Sequence, residues 1–267
     1  MAFGYKTVLL LGATSGIGAA LARKMLDGGS KVILVGRRKE RLDELAGGYD
    51  ASKAVPEVFD ITQLSAIPSF VERITRDHPD LDCVVLNSGI QRTMNFARPE
   101  TIDLSAFGDE LTTNYTSYVH LTVALLPFLQ AKKERSALVY TSSGLAFAPI
   151  VPCPTYCSTK AALHHFLLAL RQQLRDNDFA RIQVVEIFPP AVQTELHGPK
   201  GGHIGMPLDD FTEKAWAGLQ QGLDEIPVGM AEKAHAGWEQ QRQQMFAHMH
   251  GEMEKSGMLG HLYNIRD

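Results

Sequence analysis

Residues 7–21, TVLLLGATSGIGAAL, run from a fully apolar stretch through a glycine-rich turn into an alanine- and leucine-rich helical pattern. A buried strand, a turn of small residues and a helix with an open N-terminus together make an anion site, because unpaired N–H groups and the positive helix end face a phosphate. Gly12 permits the tight turn, Gly16 lets the backbone approach a diphosphate and Gly18 lets the helix pack on the strand. Thr14, Ser15 and Ile17 complete this candidate dinucleotide loop. Its GxxxGxG spacing differs from the commoner GxGxxG, yet strand and helix stand where the mechanism needs them.

The rhythm continues along the chain. Apolar runs at 7–12, 31–36, 54–60, 82–89, 137–143, 182–190 and 225–229 alternate with segments whose apolar residues recur every three to four positions. Runs apolar at nearly every position suit a parallel sheet covered on both faces. The reading is an α/β fold: one Rossmann-type doubly wound parallel sheet of about seven strands flanked by helices. It spans residues 1–230 as one domain, with a helical tail at 231–267 packed on that domain or on a partner subunit. No Pro-, Gly- or Ser-rich linker divides the chain, and no repeat is present.

With 267 residues, 45% of them hydrophobic, the chain can bury the core such a sheet requires. A net charge of −4 argues against a nucleic-acid partner, which calls for a basic face, and leaves a small molecule as the expected ligand. Cys83, Cys153 and Cys157 have neither even number nor CxxC spacing, so neither disulfides nor a zinc site is expected. His248, His250 and His261 lack further ligands at recognisable spacing, and no metal is expected there. The N-terminal apolar run is too short for a leader or a membrane span. A soluble, cytoplasmic protein that touches no membrane is therefore expected.

The second strand ends in VGRRKERL, where a NAD site places an acid about 20 residues after the glycine loop. Arg37 and Arg38 stand there instead. A guanidinium pairs with a 2′-phosphate, so NADP(H) is expected over NAD(H); the other reading makes these arginines a solvated helix start. In YCSTK, Tyr156 and Lys160 share one face of a helix at i, i+4. Such a pair is common by chance, and the surrounding motifs decide its meaning.

GATSGIG, LNSG at 86–89, TNY at 113–115, SSG at 142–144 and YCSTK follow one another in the order and spacing of the short-chain dehydrogenase/reductase family, which the chain resembles from residue 5 to about 230. SGLAFAPI and IFPPAVQTEL resemble its DltE-type oxidoreductase branch. The resemblance implies a catalytic tetrad of Asn114, Ser143, Tyr156 and Lys160, with Ser143 preferred to Ser142 because it lies thirteen positions before the tyrosine. Tyr156 would donate a proton to the carbonyl oxygen or remove it from the alcohol. A free tyrosine titrates near pH 10, and bringing it toward 7 takes about 4 kcal/mol of selective phenolate stabilisation, supplied by the Lys160 ammonium and a positive nicotinamide. Lys160 would also hold the nicotinamide ribose, Ser143 would orient the substrate oxygen, and Asn114 would anchor a water that links Lys160 to solvent.

The resemblance also implies cofactor contacts from Asp60 and Ile61 at the adenine, from Asn87, Ser88 and Gly89 beneath the adenosine ribose, and from Pro189, Val192 and Thr194 near the carboxamide. For Asp60, capping of the following helix is the alternative. Leu11, Ser88 and Pro190 replace the family's usual threonine, alanine and glycine. Pro190 brings ring atoms and removes an N–H where glycine lets the nicotinamide approach.

These features imply an NADPH-dependent carbonyl reductase or alcohol dehydrogenase. The alternative is an NADP(H)-binding protein of the same fold without net redox turnover, a lyase, epimerase or nucleotide sensor. The apolar, proline-stiffened loop GLAFAPIVPCPT points to an apolar or aromatic substrate; Phe147 and Ile150 line its pocket in one reading and seal the core or a subunit contact in the other. Residues 195–209 read as a lid. Helices at 102–131 and 156–176 are surfaces that family members use for homodimers or homotetramers. In the tail, Trp238, Met245, Met249 and Met253 fall on one helical stripe.

Overall fold

A computed structural model describes residues 3–198 and 202–263 of the chain. Seven parallel strands, β1 (Thr7–Leu11), β2 (Lys31–Gly36), β3 (Ala54–Val58), β4 (Cys83–Leu86), β5 (Ser136–Thr141), β6 (Ile182–Phe188) and β7 (Glu225–Pro227), form one sheet in the order β3-β2-β1-β4-β5-β6-β7. All seven apolar runs become strands. β1, β4 and β5 are buried along their whole length, as a sheet covered on both faces requires. Only edge strand β3 alternates buried and exposed positions, and it carries Pro56, a residue sheets admit at their edges.

On one face, α1 (Gly16–Asp27), α2 (Lys39–Ala46) and α7 (Leu208–Gln221) cover the sheet through Leu21, Met25, Leu42 and Phe211. On the other, α3 (Ile67–Asp77), α5 (Ser117–Ala131) and α6 (Pro154–Asp176) do so through Phe70, Leu121, Leu125, Leu163 and Leu167. The expected long helix over 102–131 is three pieces: α4 (Leu104–Leu111), capped by the Asp103 carboxylate, a π-helical turn at Thr112–Thr116 and then α5. That turn carries Asn114, and π turns gather at functional positions.

The order in which successive strands are added reverses between β1 and β4, which run parallel, and their carboxyl ends open the crevice where sheets of this kind bind ligands. Beyond β7 the tail forms α8 (Met230–Ala234), a π turn at His235–Glu239 in which Gly237 leaves helical geometry, α9 (Gln240–Lys255) and α10 (Met258–Tyr263). Polar bonds hold it to the domain: His235 to Glu225 at 2.6 Å, Arg242 to His165 at 3.0 Å and His250 to Asp176 at 3.2 Å. Its apolar stripe faces outward, with Trp238, Met245 and Met249 all more than half exposed.

Candidate active site

The crevice floor is the glycine loop laid against the end of β4. Gly12 takes φ +92°, and a Cβ there would lie 2.7 Å from the Ser88 nitrogen; one on Gly18 would lie 2.0 Å from the Gly12 carbonyl oxygen. Gly18 thus packs α1 onto the glycine turn itself, tighter than the helix-on-strand contact expected of it. Gly16 lies against the Thr194 side chain. Asn87 fastens the assembly, its Nδ2 donating to the Gly12 carbonyl at 3.3 Å and its Oδ1 accepting from the Thr141 hydroxyl at 2.9 Å. The Ser88 carbonyl accepts from the Tyr118 hydroxyl at 2.6 Å, and Gly89 lies beside Asn114 and Lys160.

A dinucleotide suits these residues. Ser15, the N-cap of α1, makes no capping bond through its side chain among the described residues, and no acid stands in the first turn near Ile17. The helix's leading N–H groups are left for an anion. A cleft of about 310 Å³ adjoins them, lined by Thr14, Ser15, Arg23 and Arg41.

Arg38 lies across the loop, donating from Nε and Nη2 to Thr14 Oγ1 (3.1 and 2.6 Å) and from Nη2 to Ser15 Oγ (2.7 Å). Arg37 is largely exposed, 3.8 Å from Asp60. Arg41, which sequence reasoning passed over, joins Arg38 in gripping Glu195, at 2.6 and 2.8 Å. Hydrogen bonds from these two guanidiniums hold the Glu195 carboxyl down to about 2. Asp60 does not cap α3. Its Oδ1 accepts from Thr62 N and Oγ1 at 3.0 and 2.8 Å, closing the turn after β3 and leaving Oδ2 toward Arg37, with Ile61 buried beside it.

The loop after β6 closes the crevice. The Pro189 carbonyl accepts from Gly144 N at 2.9 Å, buried Val192 pairs with Met206 in a parallel bridge, and Thr194 Oγ1 accepts from Leu196 N at 3.3 Å. Pro190 turns its ring toward Gly229, at the corner that starts the tail. Of the expected lid over 195–209, residues 199–201 lie outside the described residues. At its base His197 Nδ1 meets Gln91 Oε1 at 3.1 Å, joining it to the loop after β4.

The four tetrad positions come together at the mouth. α6 begins with Pro154 at its first position, so Tyr156 enters the first turn and Lys160 follows on the same buried face. Ser143 Oγ accepts from Leu145 N at 3.1 Å and acts on the nearby Tyr156 hydroxyl, whereas the buried Ser142 hydroxyl has no partner among the described residues. Lys160 Nζ donates to the Thr141 carbonyl at 2.8 Å and lies 5.6 Å from the centre of the Tyr156 ring. The Asn114 amide is given to protein groups: Oδ1 accepts from Ile90 N at 2.9 Å, and Nδ2 donates to the Ile90 carbonyl and Thr159 Oγ1 at 2.9 and 3.2 Å. It ties the loop after β4 to α6.

The protein alone does not lower the phenol toward neutrality. Burial pushes the Tyr156 hydroxyl well up, against the pull of the Ser143 hydroxyl, because a phenolate is poorly solvated there. Burial likewise pushes the Lys160 ammonium down to about 8, against the pull of Glu186. Tyr156 is therefore held in the protonated form, that of a proton donor.

Half-buried Phe147 packs toward the core: its ring stacks on Phe188 at 4.6 Å and meets the edge of His164 at 5.4 Å. Sequence reasoning missed Glu186, a fully buried acid paired with His164, whose charge pulls the Lys160 ammonium up. The signal was present, one acid inside the apolar run IQVVEIF.

Residues 6–203 match the family described as short chain dehydrogenase, and the chain belongs to that family of oxidoreductases. Among its relatives, the uncharacterised oxidoreductase DltE of Bacillus subtilis (strain 168) is 36% identical over 229 residues, 82% of this chain and 86% of its own. The NADP-dependent 3-hydroxy acid dehydrogenase of Schizosaccharomyces pombe is 31% identical over 208 residues, 73% of this chain and 76% of its own. A short-chain dehydrogenase from Sphingobium yanoikuyae, solved in complex with NADPH, superposes with a TM-score of 0.73 at 28% identity, covering 91% of this chain and 95% of that one.

Proposed function

We propose that this chain is an NADPH-dependent reductase of carbonyl compounds, or the corresponding alcohol dehydrogenase, with Tyr156 as its acid and base. The observation that carries the reading is the meeting of Ser143, Tyr156 and Lys160 at the mouth of an open glycine-loop crevice. NADPH, when bound, supplies the hydride that reduces the carbonyl carbon. Gly12, Gly16, Gly18 and the leading N–H groups of α1 hold its diphosphate. Arg37 and Arg38 hold the 2′-phosphate with Arg41, and Asp60 and Ile61 bound the adenine. Asn87, Ser88 and Gly89 lie beneath the adenosine ribose. Pro189, Val192 and Thr194 bound the nicotinamide end, and Lys160 holds its ribose.

Ser143 orients the substrate oxygen, and Tyr156 Oη gives it a proton, or accepts one in the oxidative direction. Asn114 positions the loop after β4 against α6. NADP(H) over NAD(H) is supported by arginines where an acid would hold the ribose hydroxyls, and by a relative named NADP-dependent and a neighbour solved with NADPH. The apolar or aromatic side of the substrate meets the exposed Ile150 and Val151, in a loop held to α6 by Ile150 N and Cys157 Sγ at 3.4 Å.

The three free, buried cysteines support a reducing cytoplasm, and no described helix is long and apolar enough to cross a membrane. A homodimer or homotetramer is supported by exposed Leu104 and Val123 on α4 and α5. The tail works as part of the same domain, through its bonds to Glu225, His165 and Asp176.

Fluorescence titration with NADPH and NADH, followed by NADPH oxidation across a panel of aldehydes and ketones, tests this reading. Tighter NADPH binding with turnover of a panel member is expected. Tight binding with no turnover across a broad panel contradicts the reductase, and no binding of either nucleotide contradicts the cofactor site.

A further inference from the structure

Behind the active site lies a chain of buried charges that the reaction itself does not use. Glu186 sits in the middle of β6 opposite Tyr140, and its neighbour Ile187 is opposite Thr141, whose carbonyl holds Lys160 Nζ. His164 stands one helical turn after Lys160 on the buried face of α6. Its Nδ1 lies 2.8 Å from Glu186 Oε2 and its Nε2 lies 3.0 Å from Glu239 Oε1. All three side chains are fully buried, and Glu239 belongs to the tail, just after Gly237 breaks the helix. Buried ion pairs commonly contribute less stability than apolar residues of the same volume, so this arrangement next to an active-site ammonium needs a reason beyond stability.

We propose that Glu186 is the counter-charge that keeps the Lys160 ammonium protonated, and that His164 and Glu239 hold it there, making the C-terminal tail a positioning element of the active site. The inference rests on the reading of Lys160 as the active-site ammonium. Lys160 is buried between the Tyr118 and Tyr156 rings, 5.9 and 5.6 Å from their centres, and Glu186 is the charge that opposes the effect of burial on it. Beside the two carboxylates the His164 imidazole is held up to about 9, so at neutral pH it is a cation between two anions. The remaining groups on the network come from the tail, from α6 and from β7. Arg242 lies 2.5 Å from Glu239 Oε2 and donates from Nη1 to His165 at 3.0 Å. Gln243 donates to Glu239 at 3.0 Å and also to Glu225, which pairs with Arg171 and His235. Charge therefore alternates from Lys160 through Glu186, His164 and Glu239 to Arg242. The second Glu186 oxygen has no hydrogen-bond partner among the described residues, which leaves its charge to act through space.

The test is a ¹⁵N-lysine NMR titration of the full chain, with the Lys160 signal assigned by its loss in Lys160→Met. Replacing Glu186 with Gln removes the anion and is expected to lower the Lys160 midpoint by about one pH unit, since an opposite charge at short range shifts a site by about that or more. Glu186→Asp is expected to restore it. Replacing His164 with Gln removes the neighbouring cation and is expected to raise the midpoint, which keeps the test open if the Glu186 variants do not fold. Midpoints in Glu186→Gln and His164→Gln equal to the wild-type value would overturn the proposal. The readout needs neither cofactor nor substrate: an unmoved midpoint in an active reductase refutes the counter-charge alone, and a moved midpoint in a protein that neither binds NADPH nor turns over refutes the reductase reading alone.

Discussion

The buried charges make stability depend on pH in a specific way, and His164→Asn isolates the dependence. Histidine titrates near 6.5 when unfolded, and the folded chain holds His164 up to about 9. Its stabilisation is complete below 6.5 and is lost as pH rises toward 9, because only the folded chain keeps the proton in that interval. The full loss is on the order of 3 kcal/mol. Lys160 acts with the opposite sign: its ammonium, down to about 8 from 10.5, costs stability at low pH, and the cost disappears as pH rises from 8 toward 10.5. Stability should thus fall by about 2 kcal/mol between pH 6.5 and 8; above 8 the Lys160 gain opposes the rest of the His164 loss, and the buried Cys83 and Cys153 thiols, pushed up by burial, in turn oppose that gain. Urea unfolding at a series of pH values measures this directly. In His164→Asn the fall between pH 6.5 and 8 should vanish, on a lower baseline, since the variant strands two buried carboxylates at about 3–5 kcal/mol. A wild-type curve flat between pH 6.5 and 8, or the same fall in the variant, would refute the reasoning.

Arg38→Ala should weaken NADPH about tenfold, one charge-assisted contact, with NADH little changed in fluorescence titrations; equal loss for both nucleotides would remove Arg38 from the 2′-phosphate site. Glu195→Gln should tighten NADPH by about two- to fivefold, because the acid competes for Arg38 and Arg41 in an exposed pairing of modest strength, and weaker binding would show that Glu195 supports the site. Gly18→Ala would place a methyl carbon 2.0 Å from the Gly12 carbonyl oxygen. Loss of dinucleotide binding with about 1–3 kcal/mol of destabilisation in urea unfolding is expected, and retained affinity would show that the loop can shift.

The sheet was legible because a strand covered on both faces must be apolar throughout, and no other constraint competes along TVLLL or DCVVL. The glycine loop was legible for a related reason: only glycine fits at Gly12, where φ is positive and Ser88 stands in contact. Long-range pairings were not. Nothing in ELH says that Glu195 will reach Arg38 and Arg41, which are more than 150 residues away in sequence. The break at Thr112–Thr116 was hidden because a π turn inserts a residue without disturbing helical composition. Phe147 sat between two readings that loop composition alone weighs equally, and its stacking on Phe188 decides for the core. The tail's stripe, Trp238 to Met249, is amphipathic as read, but the tail docks by the polar side that carries Glu239 and Arg242.

The central claim is that Tyr156 supplies the proton. The most direct measurement compares the rate of NADPH oxidation with a turned-over aldehyde or ketone in wild type and Tyr156→Phe, with NADPH affinity determined on both. A rate lower by about 10²–10⁴ at unchanged affinity, the range for loss of a general acid, is the expected result. Full turnover by the phenylalanine variant would contradict the account.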